Sequence, residues 1–283
     1  MTHLSEGALY VVATPIGNLD DMSARALKIL SEVDLVAAED TRHSARLLAH
    51  FDIRTPLLSL HEHNEAARVE TLVERVQKGE RIALISDAGT PLISDPGYKV
   101  VNALRANDCA VVPVPGPCAL ITALSAAGLP SDAFSFHGFA PSKSTARRAL
   151  LETFISAQGT QILYESPHRI RHLLEEGGDV LPERQWVLAR ELTKTFETFL
   201  KGTPAELVAR LEEDANQGRG EFVVLIAGTS QDKVAKTRAD IDADRLLEAL
   251  VEEGVGVKQS AAIAARLLGG RKKQWYQTLL DRQ

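Results

Sequence analysis

The chain has 283 residues, 45% hydrophobic and 25% charged, the proportions of a globular protein long enough for two domains. A net charge of −6 speaks against nucleic acid when taken whole. No apolar run approaches the roughly 20 residues of a membrane span, and no basic stretch leads into an apolar one at the start, so no membrane partner and no signal peptide are expected.

Strand and helix signals alternate from the first residues onward. Strands are expected at Leu9–Ala13, Leu35–Ala38, Ile82–Ile85 and Val111–Val114, and helices at Ala24–Leu30, Ala45–His50, Ala66–Lys78 and Tyr98–Ala106. Gly79 follows the third helix, where a left-handed cap is expected. This alternation argues for an α/β fold with a mostly parallel sheet covered on both faces. In the second half, strands are expected at Phe134–His137, Thr160–Tyr164, Gln185–Ala189, Glu197–Leu200 and Glu221–Ile226. Helices are expected near Thr145–Ile155, Pro167–Glu175 and Pro204–Leu211. Thr203-Pro204-Ala205-Glu206 has the form of a capping box with proline at the first helical position. Two strands close together around Lys194 suggest a mixed sheet. Residues 231–240 are polar and strand-free, which predicts a linker. Three short helices follow, Ala243–Glu253, Ser260–Leu268 and Lys272–Leu280, vaguely like a helix-turn-helix. The expected units are 1–117 and 118–230, both α/β, and a helical module at 241–283.

Charge is unevenly spread. Residues 258–283 carry six Lys and Arg against one Asp, a balance of +5, which leaves −11 on the rest. Such asymmetry marks either a basic surface for nucleic acid or a solvated helical tail. Trp275 and Tyr276 beside Arg271, Lys272 and Lys273 are expected in the core of that tail. Few aromatic residues are available elsewhere to stack on bases. Cys109 and Cys118 form neither a disulfide framework nor a metal-ligand spacing, which points to a reducing cytoplasm and no metal.

Three strands end in Pro/Gly loops that let a ligand approach the backbone: Thr14-Pro15-Ile16-Gly17-Asn18, Ser86-Asp87-Ala88-Gly89-Thr90-Pro91 and Pro115-Gly116-Pro117-Cys118. Asp87 is the only charge at the tip of its strand, where open α/β sheets bind ligands. Neither G-x-G-x-x-G, a P-loop nor G-x-S-x-G occurs, which argues against dinucleotide binding, a P-loop NTPase and a nucleophile-elbow hydrolase. His61 and His63 stand two apart without further ligands, so a loop touching substrate is preferred to a metal site. Tyr164-Glu165-Ser166-Pro167-His168-Arg169 and Ala189-Arg190-Glu191-Leu192-Thr193-Lys194 are charged strand ends. They are either caps and surface ion pairs, or loops facing the first unit across a cleft.

These motifs, together with Ala38-Glu39-Asp40-Thr41-Arg42 and His61-Glu62-His63-Asn64, resemble the bacterial small-subunit ribosomal RNA 2′-O-ribose methyltransferases of the tetrapyrrole-methylase superfamily. The resemblance spans about residues 8–228. It implies two α/β domains with S-adenosylmethionine between them, a cytidine of 16S rRNA as target and a homodimer. The glycine-rich loop of the small-molecule methylases is replaced here by Pro15 and Asn18, which weakens a tetrapyrrole substrate. By resemblance, Pro15, Asp87, Thr90, Cys118 and Ala119 would hold the cofactor from one side, and Tyr164, Ala189 and Glu221 from the other. Glu191 and His168 are candidate bases, and Lys194 would steady the oxyanion. RNA contacts are expected from His61, His63, Lys143, Arg147, Arg271, Lys272 and Lys273. The alternatives are a small-molecule methylase on the same fold and a non-catalytic RNA-binding factor.

Overall fold

The structure, a computed structural model, describes residues 7–229, 243 and 245–281. The linker expected over 231–240 lies outside the described residues.

Five strands form the first sheet: β1 Ala8–Val12, β2 Leu35–Ala38, β3 Leu57–Ser59, β4 Arg81–Ile85 and β5 Ala110–Val114. They run all parallel in the order β3-β2-β4-β1-β5. Strands buried on both faces need unbroken apolar runs, and β1, β2 and, from Ile82 on, β4 have them. Tyr10, Val12, Val36, Ala38, Ala83 and Ile85 pack with α1 (Ala24–Glu32) and α2 (Thr41–His50). The alternate residues Leu9, Leu35, Ala37, Ile82 and Leu84 pack with α3 (Glu65–Gln77) and α4 (Tyr98–Ala106). Pro113 is tolerated because β5 is an edge strand, where a missing N–H breaks no ladder. Gly79 takes its expected left-handed conformation at φ 94°.

The second sheet is mixed, as the strands around Lys194 suggested. It comprises β6 Phe134–Phe139, β7 Thr160–Glu165, β8 Trp186–Arg190, β9 Thr198–Gly202 and β10 Phe222–Ile226, in the order β6-β7-β10-β8-β9. Only β6 and β7 are parallel neighbours; the other pairs are antiparallel. One face packs on α6 (Ser144–Thr153), α7 (Ile170–Val180) and α8 (Pro204–Glu213) through Leu151, Leu173, Leu174 and Leu207. The other face is covered by α5 (Ala119–Ala126), and Ile16 and Ile93 from loops of the first sheet reach the same cluster.

Two helix expectations need correction. α5 was not foreseen. α7 begins at Ile170 and not at Pro167, because residues 166–169 form a separate turn, with the Ser166 amide donating to the Glu165 carboxylate and Arg169 N to Ser166 O. The capping box at Thr203 and Glu206 is present in full.

In the tail, residues 245–252 are helical, followed by α9 (Val257–Leu268) and α10 (Lys272–Leu280). Leu247, Ala261, Ala264 and Leu279 form its own small core. Trp275 packs against that core and its indole N–H donates to Gly269 O at 2.7 Å. Tyr276, also expected in the core, is instead 38% exposed, since it falls on the outer side of α10.

Candidate active site

Every strand of the first sheet points its carboxyl end the same way, and so do β6, β7 and β8 of the second. Because β10 is antiparallel, its amino end joins them: Phe222 pairs with Glu165 on one side and Arg190 on the other. The two sets of strand ends meet around a cavity of about 510 Å³, within the range of small-molecule sites.

The first sheet's loops are tied to one another. Thr14 and Gly89 exchange backbone hydrogen bonds at 2.8 and 3.1 Å, and the Thr14 hydroxyl donates to Ser86 O. The Thr90 hydroxyl donates to Pro117 O at 2.8 Å. Asp87 accepts the Asp40 amide at 3.0 Å, and Asp40 in turn caps α2. The loops after β1, β2, β4 and β5 thus form one connected rim.

Seven of the eight residues implied as cofactor contacts line the cavity: Asp87, Thr90, Cys118, Ala119, Tyr164, Ala189 and Glu221. Pro15 does not. The Thr14–Gly89 bridge fixes the strand end so that Ile16 reaches the wall instead. Tyr164 accepts the Leu120 amide on its phenolic oxygen, and burial raises its pKa.

Three carboxylates, Glu39, Asp87 and Asp95, converge on this wall. Burial, with the Asp87 charge beside it, raises Glu39, while His61 offsets it. Burial and the charges of Glu39 and Asp87 raise Asp95 to about 6. The sequence did not single out Glu39 or Asp95 as site residues. Glu39 had a signal, since it ends β2 as Asp87 ends β4. Asp95 had none: it sits behind Leu92 and Ser94, whose left-handed φ of 73° and 67° fold the loop back to the cavity.

On the second sheet, Lys194 Nζ bridges Glu191 Oε1 and Glu221 Oε2, each at 2.9 Å. The Glu221 amide donates to the same Glu191 oxygen. Burial pushes Glu191 up, but the Glu221 amide and Lys194 outweigh it and hold the carboxyl below its ordinary value. For Lys194, burial is likewise outweighed by the two carboxylates, which hold the ammonium above its ordinary value. The Glu191 carboxylate, a candidate base, is thus engaged by both Lys194 and the Glu221 amide. His168 is exposed, in the turn directly after the cavity residues Ser166 and Pro167.

The expected RNA contacts are scattered. His61 is half-buried beside Asn64, and His63 is exposed with its ring 6.0 Å from that of His61. Lys143 is exposed at the start of α6. Arg147 is not available to a phosphate. It is 5% exposed, pairs with both oxygens of Glu176 at 2.7 and 2.8 Å, and donates to Pro141 O and Ser142 O. Its neighbour Arg148 pairs with Asp179. Arg271, Lys272 and Lys273 are exposed on the tail and are not among the residues that line the cavity.

The cavity lies between the ends of two dissimilar α/β sheets, with acidic loops on one side. The family model described as Tetrapyrrole (Corrin/Porphyrin) Methylases matches residues 8–208, and that of the RsmI C-terminal HTH domain matches 237–283. The uroporphyrin-III-C-methyltransferase of Thermus thermophilus shares the fold at a TM-score of 0.55 and 22% identity, over 81% of this chain and 96% of that one. A cobalt precorrin-4 methyltransferase does so at 0.56 and 18%, over 78% and 95%. Closer in sequence are proteins named Ribosomal RNA small subunit methyltransferase I. That of Pseudomonas aeruginosa is 53% identical over 99% of both chains. That of Escherichia coli O157:H7 is 49% identical over 99% of this chain and 96% of its own. The chain belongs to the tetrapyrrole methylase family and, within it, to the ribosomal RNA small subunit methyltransferase I group.

Proposed function

We propose that this protein transfers a methyl group from S-adenosylmethionine to the ribose 2′-hydroxyl of a cytidine in 16S rRNA. The observation that carries the reading is near-full-length identity of 49–53% to relatives named for small-subunit rRNA methylation. The cavity fits the donor. Glu39, Asp87 and Asp95 repel one another on a largely apolar wall, and a ligand carrying a sulfonium and an ammonium relieves that repulsion.

When bound, the donor supplies an already activated methyl group. The chain's own work is then alignment and removal of one proton. Asp87 and Thr90 would hold the donor from the loop after β4, Cys118 and Ala119 from the start of α5, and Tyr164, Ala189 and Glu221 from the second sheet. Lys194, held between two carboxylates of which Glu221 lines the cavity, would stabilise negative charge developing on the ribose oxygen. With Glu191 committed to Lys194, the proton acceptor in this reading is His168, and Glu191 positions the lysine.

The same reading places the division between the α/β units at 117/118, supported by α5 packing on the second sheet. It makes residues 241–283 a separate basic module, the active form a homodimer and the cytoplasm the compartment. Among the described residues no helix is long and apolar enough to cross a membrane. The test is transfer of labelled methyl to small ribosomal subunits lacking the modification, with a tetrapyrrole in parallel. Methylation of the tetrapyrrole alone would overturn the reading.

A further inference from the structure

Phe139 is anomalous for a residue on a cavity wall. It lines the cavity yet is 57% exposed, in a chain with only eight Phe, four Tyr and two Trp. Its placement is built by the backbone. The register of β6 on β7 shifts between Phe136 and Phe139, and Gly138 takes a left-handed φ of 68°. That kink sets Phe139 opposite Tyr164, which it meets edge to face at 5.6 Å and 70°. Phe136 grips the same tyrosine at 4.8 Å. The Tyr164 hydroxyl is fixed by the Leu120 amide. The Phe139 ring is thus braced by Tyr164 and open toward solvent at the cavity.

We propose that Phe139 is the stacking platform for the target nucleobase. This rests on the RNA-methylating reading above. A braced, exposed aromatic face at a cavity mouth matches the π-face of a base, whatever its sequence. The walls at Ala119, Ala189, Leu192 and Val223 are aliphatic and offer no second ring for a base. Four residues beyond Phe139, Lys143 is exposed and makes no ion pair with a carboxylate among the described residues, so its charge is available to a phosphate.

The test uses the full chain with Phe139→Ala, Phe139→Leu and Phe139→Trp on small subunits lacking the modification. Stacking on one base corresponds to about 5- to 150-fold. Phe139→Ala is expected to lower kcat/KM for subunits by that factor, with S-adenosylmethionine affinity by calorimetry within twofold of wild type. Phe139→Trp restores the rate; Phe139→Leu, equally apolar but without a π-face, does not. Wild-type rates in Phe139→Ala, or full rescue by leucine, overturn the inference. So does a parallel loss of donor affinity, which would seat the donor's own adenine on the ring. A change of sedimentation in Phe139→Ala also overturns it, because the ring would then be covered by a second copy. A wild-type protein that methylates no RNA overturns the functional reading itself, which the wild-type control reports separately.

Discussion

Burial and the charges of Glu39 and Asp87 raise the Asp95 carboxyl from 3.8 to about 6, so the folded chain holds a proton there that the unfolded chain has already lost. Between about pH 4 and 6 the folded state binds more protons than the unfolded one, and stability falls as pH rises through that window. Above pH 6 the full cost is present. Discounted for the partial exposure of Asp95, it is of order 1 kcal/mol. Asp95→Asn is expected to melt about 2–4 °C higher at pH 7.5, with the difference vanishing near pH 4. Scanning calorimetry at the two pH values checks this, and a less stable variant at pH 7.5 would refute it. The same substitution removes a negative charge from the cavity, so it should weaken binding of the cationic donor. Wild-type donor affinity should itself weaken as pH drops below 6. A second comparison separates the two candidate bases. His168→Ala should slow single-turnover methylation by roughly 10²–10⁴-fold. Glu191→Gln should do less, since its amide oxygen can still accept from the Glu221 amide and Lys194. A larger loss in Glu191→Gln would exchange the roles.

The strand-end loops of the two sheets touch at Gly17. A Cβ there would stand 2.5 Å from Lys194 Cγ and 2.9 Å from Leu192 O. The lysine stem can bend, but the Leu192 carbonyl is backbone and cannot yield without moving the loop that holds Lys194. Gly17→Ala is therefore expected to cost about 1–3 kcal/mol of stability and to lower the methylation rate by about 10–10²-fold through misplacement alone. Melting and single-turnover rates measured together test it; a wild-type rate would mean that the loops do not need this contact. Elements with a clear pattern were legible in the sequence. The tips of β1, β4 and β5 showed as apolar runs ending in Pro and Gly, and Asp87 could be read from its tip as the sole charge there, whereas Thr90, Cys118 and Ala119 came only through the resemblance. α5 could not, because Ala119–Ala126 has no charged stripe to set a period. β3 is three residues long, too short to alternate. The helix expected to end near Glu175 runs on to Val180, and Gly177 lets it lie on Trp186, whose ring would be 2.6 Å from a Cβ there. Asp95 and Phe139 reach the cavity through left-handed backbone at Ser94 and Gly138, a property of single dihedrals that composition does not announce.

The molecule as a whole is acidic, and its cavity is lined by carboxylates and no basic residue among the described ones; ribosomal RNA is a polyanion. Some surface must offset that repulsion. The tail is the place where charge has the right sign: +5 over residues 258–283, with Arg271, Lys272 and Lys273 exposed in a row at the start of α10. The tail has its own small core and contributes no residue to the cavity wall, so its charges can be removed without disturbing donor binding. Replacing all three by alanine should leave S-adenosylmethionine affinity unchanged and weaken binding to small subunits. The diagnostic quantity is the slope of log affinity against log salt, because each phosphate contact releases roughly 0.7–0.9 counterion. Three lost contacts flatten that slope by about 2–3, and the deficit shrinks as salt rises and screening removes the same term from the wild type. Trp275 stays in place in this variant, since its indole bond runs to the Gly269 carbonyl and not to a basic side chain. Binding measured from low to high KCl checks the prediction. A wild-type slope in the triple variant would move the phosphate contacts off the tail, and Lys143, exposed at the start of α6, would be the next residue to replace.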